Sequence, residues 1–194
     1  MKRIILINII VFLCLPSFAQ KGNKSLFAEY EDTLKVIAHT IMHAENEIEK
    51  SKANKIFIEN LKEVLQYERS FKFPFDSLVT ISRLTAPDGT FRIFNWLLKK
   101  DNGTYEYYAL VHYHNKKYKR YEVIELIDNS ENIRNAEQQE LDAKNWYGGL
   151  YYKIAYVKKS GKQYYTLLAW DGNDDYSTKK IMDVMYFSGR NKIK

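Results

Sequence analysis

From Ser25 to about Ile48 the apolar residues recur at helical spacing, with Tyr30, Leu34, Ile37, Ile41, Ala44 and Ile48 in one narrow stripe. Asp32, Lys35, His39, His43, Asn46 and Lys50 share the opposite side. The spacing predicts an amphipathic helix. A second is expected from about Ala53 to Arg69, with Phe57, Leu61, Val64 and Leu65 on its inner face. The link between them is short, which predicts an antiparallel helical hairpin. Phe71, Phe73 and Phe75, around Pro74, form a stiff apolar connector expected to be partly buried.

After Pro74 the period changes to two. Segments 77–85, 90–99, 104–114, 119–127, 147–158, 162–170 and 180–187 read as strands rich in Tyr, Ile, Val, Phe and Trp. Turn chemistry separates them at Pro87-Asp88-Gly89, Asp101-Asn102-Gly103, Ser160-Gly161 and Asp171-Gly172. Short connections mean hairpins, so the expected fold class is α+β: an N-terminal helical hairpin packed on a curved antiparallel β-meander of about seven strands. The long interruption, 128–146, is polar; Asn135 with Gln138 is the signature of a cap for a short helix there, anchored by Leu141. Several strands are apolar or aromatic on both faces, as in TYEYYALVHYH and GGLYYKIAYV. Either the sheet curls towards a half barrel, or its second face is a tyrosine-lined surface.

The first residues change the picture of where this fold works. MKRIILINIIVFLCLPSFAQ has a basic start, an apolar run from Ile4 to Leu15, a break at Pro16 and small residues at Ser17 and Ala19. This is the layout of a secretory signal peptide, 1–19, cleaved before Gln20. The run is shorter than the roughly 20 residues a membrane span needs, so no transmembrane segment is expected in the mature chain. A lipid anchor through Cys14 is disfavoured by the bulky Leu13. Cleavage removes Cys14, the single cysteine, and leaves no disulfide, thiolate nucleophile or cysteine ligand. About 175 residues remain, 20–194, enough for one domain with helices over about 25–69 and the meander over about 77–187. The formal charge falls from +6 to +4, with 28 basic against 24 acidic side chains. That mild excess, on an exported chain, gives no nucleic-acid partner.

WYGGLYYKI (Trp146 to Ile154), YYTLLAWDGN (Tyr164 to Asn173) and KKIMDV (Lys179 to Val184), with APDGTFRIFNW (Ala86 to Trp96), resemble a group of uncharacterised secreted bacterial proteins. The resemblance covers the β-rich two thirds of the chain and implies no activity, substrate or catalytic residue. It does imply a longer chain, because those proteins continue where this one stops, just after Ser188-Gly189-Arg190-Asn191. The domain is therefore expected to be incomplete at its C-terminus, with an unpaired strand edge.

The motifs that catch the eye carry competing readings. Asp171, Asn173 and Asp175 match the first ligands of a calcium loop, but Tyr176 stands where glycine is needed and Met182 where a bidentate glutamate is needed. The better reading is a hairpin tip. His39 with His43, and His112 with His114, have spacings that suit a metal, yet each pair lacks a third ligand, so no metal residue is assigned. Ser177-Thr178-Lys179-Lys180, Ser130-Glu131-Asn132 and Lys159-Ser160-Gly161 match penicillin-binding motifs in the wrong order. No nucleotide or cofactor fingerprint appears, and no cofactor is expected. Glu106, Glu122, Glu125 and Asp183 stand apart in the sequence and could pair across strands, but nothing in the sequence shows that they do. The basic cluster Lys116, Lys117, Lys119 and Arg120, interleaved with Tyr118 and Tyr121, reads best as a solvated turn.

Sixteen tyrosines and three tryptophans leave an aromatic sheet face as the best opening for function. The expectation is a non-enzymatic secreted or periplasmic domain binding a cell-envelope glycan or protein through Tyr107, Trp146, Tyr151 and Trp170. The alternative is a cell-envelope or polysaccharide hydrolase, with histidine-based metal binding third.

Overall fold

The computed structural model describes residues 25–115, 118–189 and 192–194. The expected leader and Lys116 and Lys117 of the basic cluster lie outside the described residues.

The helical hairpin is formed by α1 (Leu26–His43) and α2 (Glu47–Leu65). Ser25 caps α1 by accepting from the Ala28 amide, and Leu34, Ala38 and Ile41 turn inward. The break falls earlier than the apolar stripe suggested. Asn46 caps α2 by accepting from the Glu49 amide, so 44–46 is the turn and Ile48 points to solvent, 70% exposed. The Asn46-x-x-Glu49 spacing is a helix-start signal that competes with the stripe and wins, because it satisfies donors the stripe leaves open. A short 3-10 segment, Glu68–Lys72, then leads into the connector, where Phe75 is fully buried.

Among the described residues nine strands follow: β1 (Ser82–Thr85), β2 (Phe91–Lys99), β3 (Tyr105–Asn115), β4 (Arg120–Ile127), β5 (Leu150–Lys159), β6 (Lys162–Asp171), β7 (Lys179–Met185), β8 (Phe187–Ser188) and β9 (Lys192–Ile193). The protein is α+β, and within each sheet the strands pair antiparallel with their sequence neighbours. The strands form a four-stranded sheet β1-β2-β3-β4, a three-stranded sheet β5-β6-β7 and the ribbon β8-β9. Of the first expected strand only 82–85 is extended; the chain turns through 77–81.

β2 is buried on both faces, and this explains its unbroken apolar run. Phe94 and Trp96 pack with Leu34, Ile41, Phe57 and Leu61 of the helices. Phe91 and Ile93 pack, together with Ala109 and Val111, against Tyr165, Leu167 and Ala169 of the second sheet. The layers are helices, four-stranded sheet, three-stranded sheet. The second face is thus neither curled into a half barrel nor left as an open tyrosine-lined surface: the later strands fold back and cover it. The outward face of the three-stranded sheet carries the exposed side chains Tyr152, Met182 and Val184.

Between the sheets, 128–146 holds two 3-10 turns, Ser130–Asn132 and Ala136–Gln138. Asn135 does not cap a helix; it takes a left-handed conformation (φ 52°) with no side-chain cap bond. The segment is tied down by backbone bonds instead, from the Ile127 amide to Ala143 and the Trp146 amide to Ile127. No described helix is long and apolar enough to cross a membrane.

Candidate functional site

Asn95 is fully buried in the middle of β2 and joins the two sheets. Its amide Nδ2 donates to the carbonyls of Tyr108 (2.8 Å) and Gly149 (3.2 Å), and its Oδ1 accepts from the Tyr151 amide at 2.5 Å. Ser82 Oγ donates to the Tyr151 carbonyl at 2.7 Å. Both backbone groups of Tyr151 are therefore held by side chains of the first sheet. The chain reaches this point through Gly148 (φ 80°), where a Cβ would stand 2.9 Å from both Asp128 Oδ1 and Tyr107 Cδ2, so only glycine fits. Tyr151 points inward, and a bulge between Tyr151 and Lys153 then breaks the alternation so that Tyr152 and Lys153 are both exposed.

The buried Tyr151 hydroxyl accepts from Trp146 Nε1 at 2.8 Å and donates to Asp183 Oδ2 at 2.8 Å. Burial, then the Asp183 charge, pushes its pKa well above the usual phenol range, so it stays a proton donor to the carboxylate. This Trp146–Tyr151–Asp183 chain lines a cavity of about 570 Å³ at the edge of the three-stranded sheet. Leu126, Leu167, Ile181 and Met185 supply apolar wall, the loop 136–142 forms the facing side, and Lys179, Lys180 and Lys194 also line it. Glu140 shares the cavity, accepting from the Tyr186 hydroxyl at 2.7 Å with Lys194 at 3.4 Å. Those two partners hold its carboxyl below the usual range, so it is ionised there at neutral pH.

The structure thus brings Trp146 and Tyr151 to one cavity and leaves Tyr107 and Trp170 elsewhere. Tyr107, Trp146 and Tyr151 are 3%, 5% and 2% exposed, so their rings are interior packing and not an open platform. Tyr107 donates to Asp171 Oδ1 at 2.9 Å and accepts from the Gly172 amide at 2.7 Å. Trp170 is half-buried, edge-on to Tyr105 at 5.6 Å. Asp183 and Asn95 are the residues the sequence reading did not place. A polar Asn95 inside FRIFNWLL was the available signal, since a strand buried on both faces tolerates a polar side chain only where it is satisfied.

The oxygens of the acidic turn after Trp170 are engaged by donors of the protein itself. Asp171 accepts from Tyr107 and the Asn173 amide, with Lys179 at 3.6 Å, while Asp174 accepts from the amides of Tyr176 and Ser177. Among the described residues no group of three or more His, Cys, Asp or Glu could hold a metal ion. His39 and His43 are exposed neighbours, whereas His112 is fully buried and His114 stacks on Tyr121 at 4.5 Å. Ser160 (φ 49°) and Gly161 (φ 80°) form the tip of the β5–β6 hairpin. No known protein family matches the chain, and neither a curated protein nor a solved structure matches it.

Proposed function

We propose that this chain is an exported, non-catalytic binding domain that seats a segment of envelope glycan in the cavity beside β7. The observation that carries the reading is the buried relay from Trp146 through Tyr151 to Asp183, which fixes a carboxylate acceptor beside the apolar side chains Leu126, Leu167, Ile181 and Met185 of the cavity wall. Sugars are recognised by that combination: ring faces meet apolar surface while hydroxyls donate to oriented acceptors. Lys179, Lys180 and Lys194 add donors around the same cavity. The signal-peptide layout of residues 1–19 supports an envelope ligand over a cytoplasmic one.

A polysaccharide hydrolase is the second reading, because Glu140 and Asp183 line the same cavity. A glycosidase needs one carboxyl that keeps its proton near neutral pH. Glu140 is held in the opposite direction by Tyr186 and Lys194 and is not that acid.

The test is titration of the mature chain with soluble amino-sugar oligosaccharides, followed by calorimetry and tryptophan fluorescence, with release of reducing ends measured in parallel. Asp183→Asn keeps an oxygen for the Tyr151 hydroxyl but removes the charge, and should weaken binding about tenfold without unfolding the protein. Unchanged affinity in that variant, or no saccharide binding at all, overturns the reading. Turnover that disappears in Asp183→Asn replaces it with the hydrolase.

A further inference from the structure

The connector between helices and sheet holds more positive charge than its packing explains. Arg92, on β2 and only 7% exposed, donates through Nη1 to the carbonyls of Ser70 (3.2 Å), Phe71 (3.0 Å) and Phe73 (2.6 Å), and through Nη2 to Pro74 (3.2 Å). Arg83, on β1, donates to the carbonyls of Phe75 and Pro74. Phe75 itself sits in the left-handed region (φ 55°), a conformation a buried aromatic residue keeps only when its surroundings impose it. Two guanidinium groups impose it here by gathering successive carbonyls.

Carbonyl dipoles satisfy donors but bring no net charge. Among the described residues no carboxylate reaches ion-pair distance of Arg92; the nearby Asp76 lies 3.4 Å from Arg83 Nη1 and is 84% exposed at its side chain. Arg83 Nε is buried with no hydrogen-bond partner. Burial, and then the charge of Arg83, pushes Arg92 down to about 10, the direction expected for cations crowded without a matching anion. Both arginines, with Lys72, Asp76 and Thr85, line a second cavity of about 320 Å³, open to solvent and separate from the one beside β7. Three cations there face one carboxylate.

We infer that this cavity binds an oxyanion of the phosphate or sulfate type, held by Lys72 and the outer edges of Arg83 and Arg92 with the Thr85 hydroxyl as a further donor. Guanidinium and ammonium groups on one concave surface are the donors such anions take, because tetrahedral oxygens accept several charge-assisted bonds at once. The cavity has room for more than a single ion, so a phosphate or sulfate ester on a larger molecule fits the same donors. The inference does not depend on the glycan reading.

The experiment uses the mature chain in thermal-shift and calorimetric titrations with inorganic phosphate, inorganic sulfate and glucose 6-phosphate, each against sodium chloride at matched ionic strength. Phosphate or sulfate should raise the melting temperature where chloride does not. Lys72→Glu, a solvent-exposed change, should weaken binding about tenfold or more, and Asp76→Asn should strengthen it several-fold by removing the competing carboxylate. Lys158→Glu, on β5, should leave it unchanged. Binding of the inorganic ions alone marks a free-anion site, and binding of glucose 6-phosphate as well marks an ester site. Stabilisation no greater than that by chloride, or affinities that Lys72→Glu and Asp76→Asn both leave unmoved, overturns the inference.

Discussion

His112 is a buried imidazole whose two ring nitrogens have no hydrogen-bond partner. It lies opposite Arg92 in the β2–β3 register, with its ring edge-on to Phe71 at 5.0 Å and tilted against Tyr121 at 5.8 Å. Burial first, and the Arg92 charge second, push its pKa from the ordinary 6.5 down to about 3. The folded protein therefore keeps His112 neutral where the unfolded chain takes up a proton. Below the ordinary value the unfolded state binds more protons, so stability is full above about pH 6.5 and is lost as the pH falls towards about 3. At about pH 4.5 the unfolded imidazole is two pH units below its pKa, at 1.36 kcal/mol per unit, so the loss from this residue alone is about 2.7 kcal/mol. His112→Phe preserves the ring packing and removes the titration. Urea unfolding at neutral pH and at about pH 4.5, read by circular dichroism, should show the wild type losing about 2.7 kcal/mol more than the variant. At neutral pH the variant should be as stable as the wild type or more so, because two unsatisfied nitrogens are gone. Parallel pH profiles for the two proteins would refute the reasoning, and so would a large destabilisation of His112→Phe at neutral pH.

Two further outcomes are expected. Asn95→Ala removes both donations to carbonyls and leaves the buried Tyr151 amide without an acceptor, so urea unfolding should show a loss of about 3 kcal/mol or more, and the glycan affinity should fall with it because Asn95 positions Tyr151. N-terminal sequencing of the chain recovered from an exporting host should begin at Gln20; a mature protein that retains residues 1–19 would remove the secretory reading.

The helical hairpin and most strands were legible because their signals are local. Leu34 and Ile41 fall on one helical face, and Asp101-Asn102-Gly103 and Ser160-Gly161 dictate turns whatever surrounds them. The misplaced helix break is also local: Asn46 outcompeted a stripe that ran on by chance through Ile48. The binding site was legible only in part. Trp146 and Tyr151 are five residues apart and both stood out as aromatic, but Asp183 looked like any isolated carboxylate until β7 set it against the Tyr151 hydroxyl.

What the sequence alone determined is where most of the helices and strands run and which side chains share a face. What covers each face was decided only in three dimensions. A period of two is the same for a strand that extends a sheet and for one that folds over it, so nothing in GGLYYKIAYV distinguishes an open aromatic surface from the lid on Ile93 and Val111. That choice rests on contacts between distant segments, Asn95 with Gly149 and Tyr151 above all, and it turned three of the four expected surface aromatics into core. The crowding of Arg83 and Arg92 was hidden for another reason: they are close in sequence on one hairpin, but their burial against the 70–75 carbonyls arises only once the connector has folded over them.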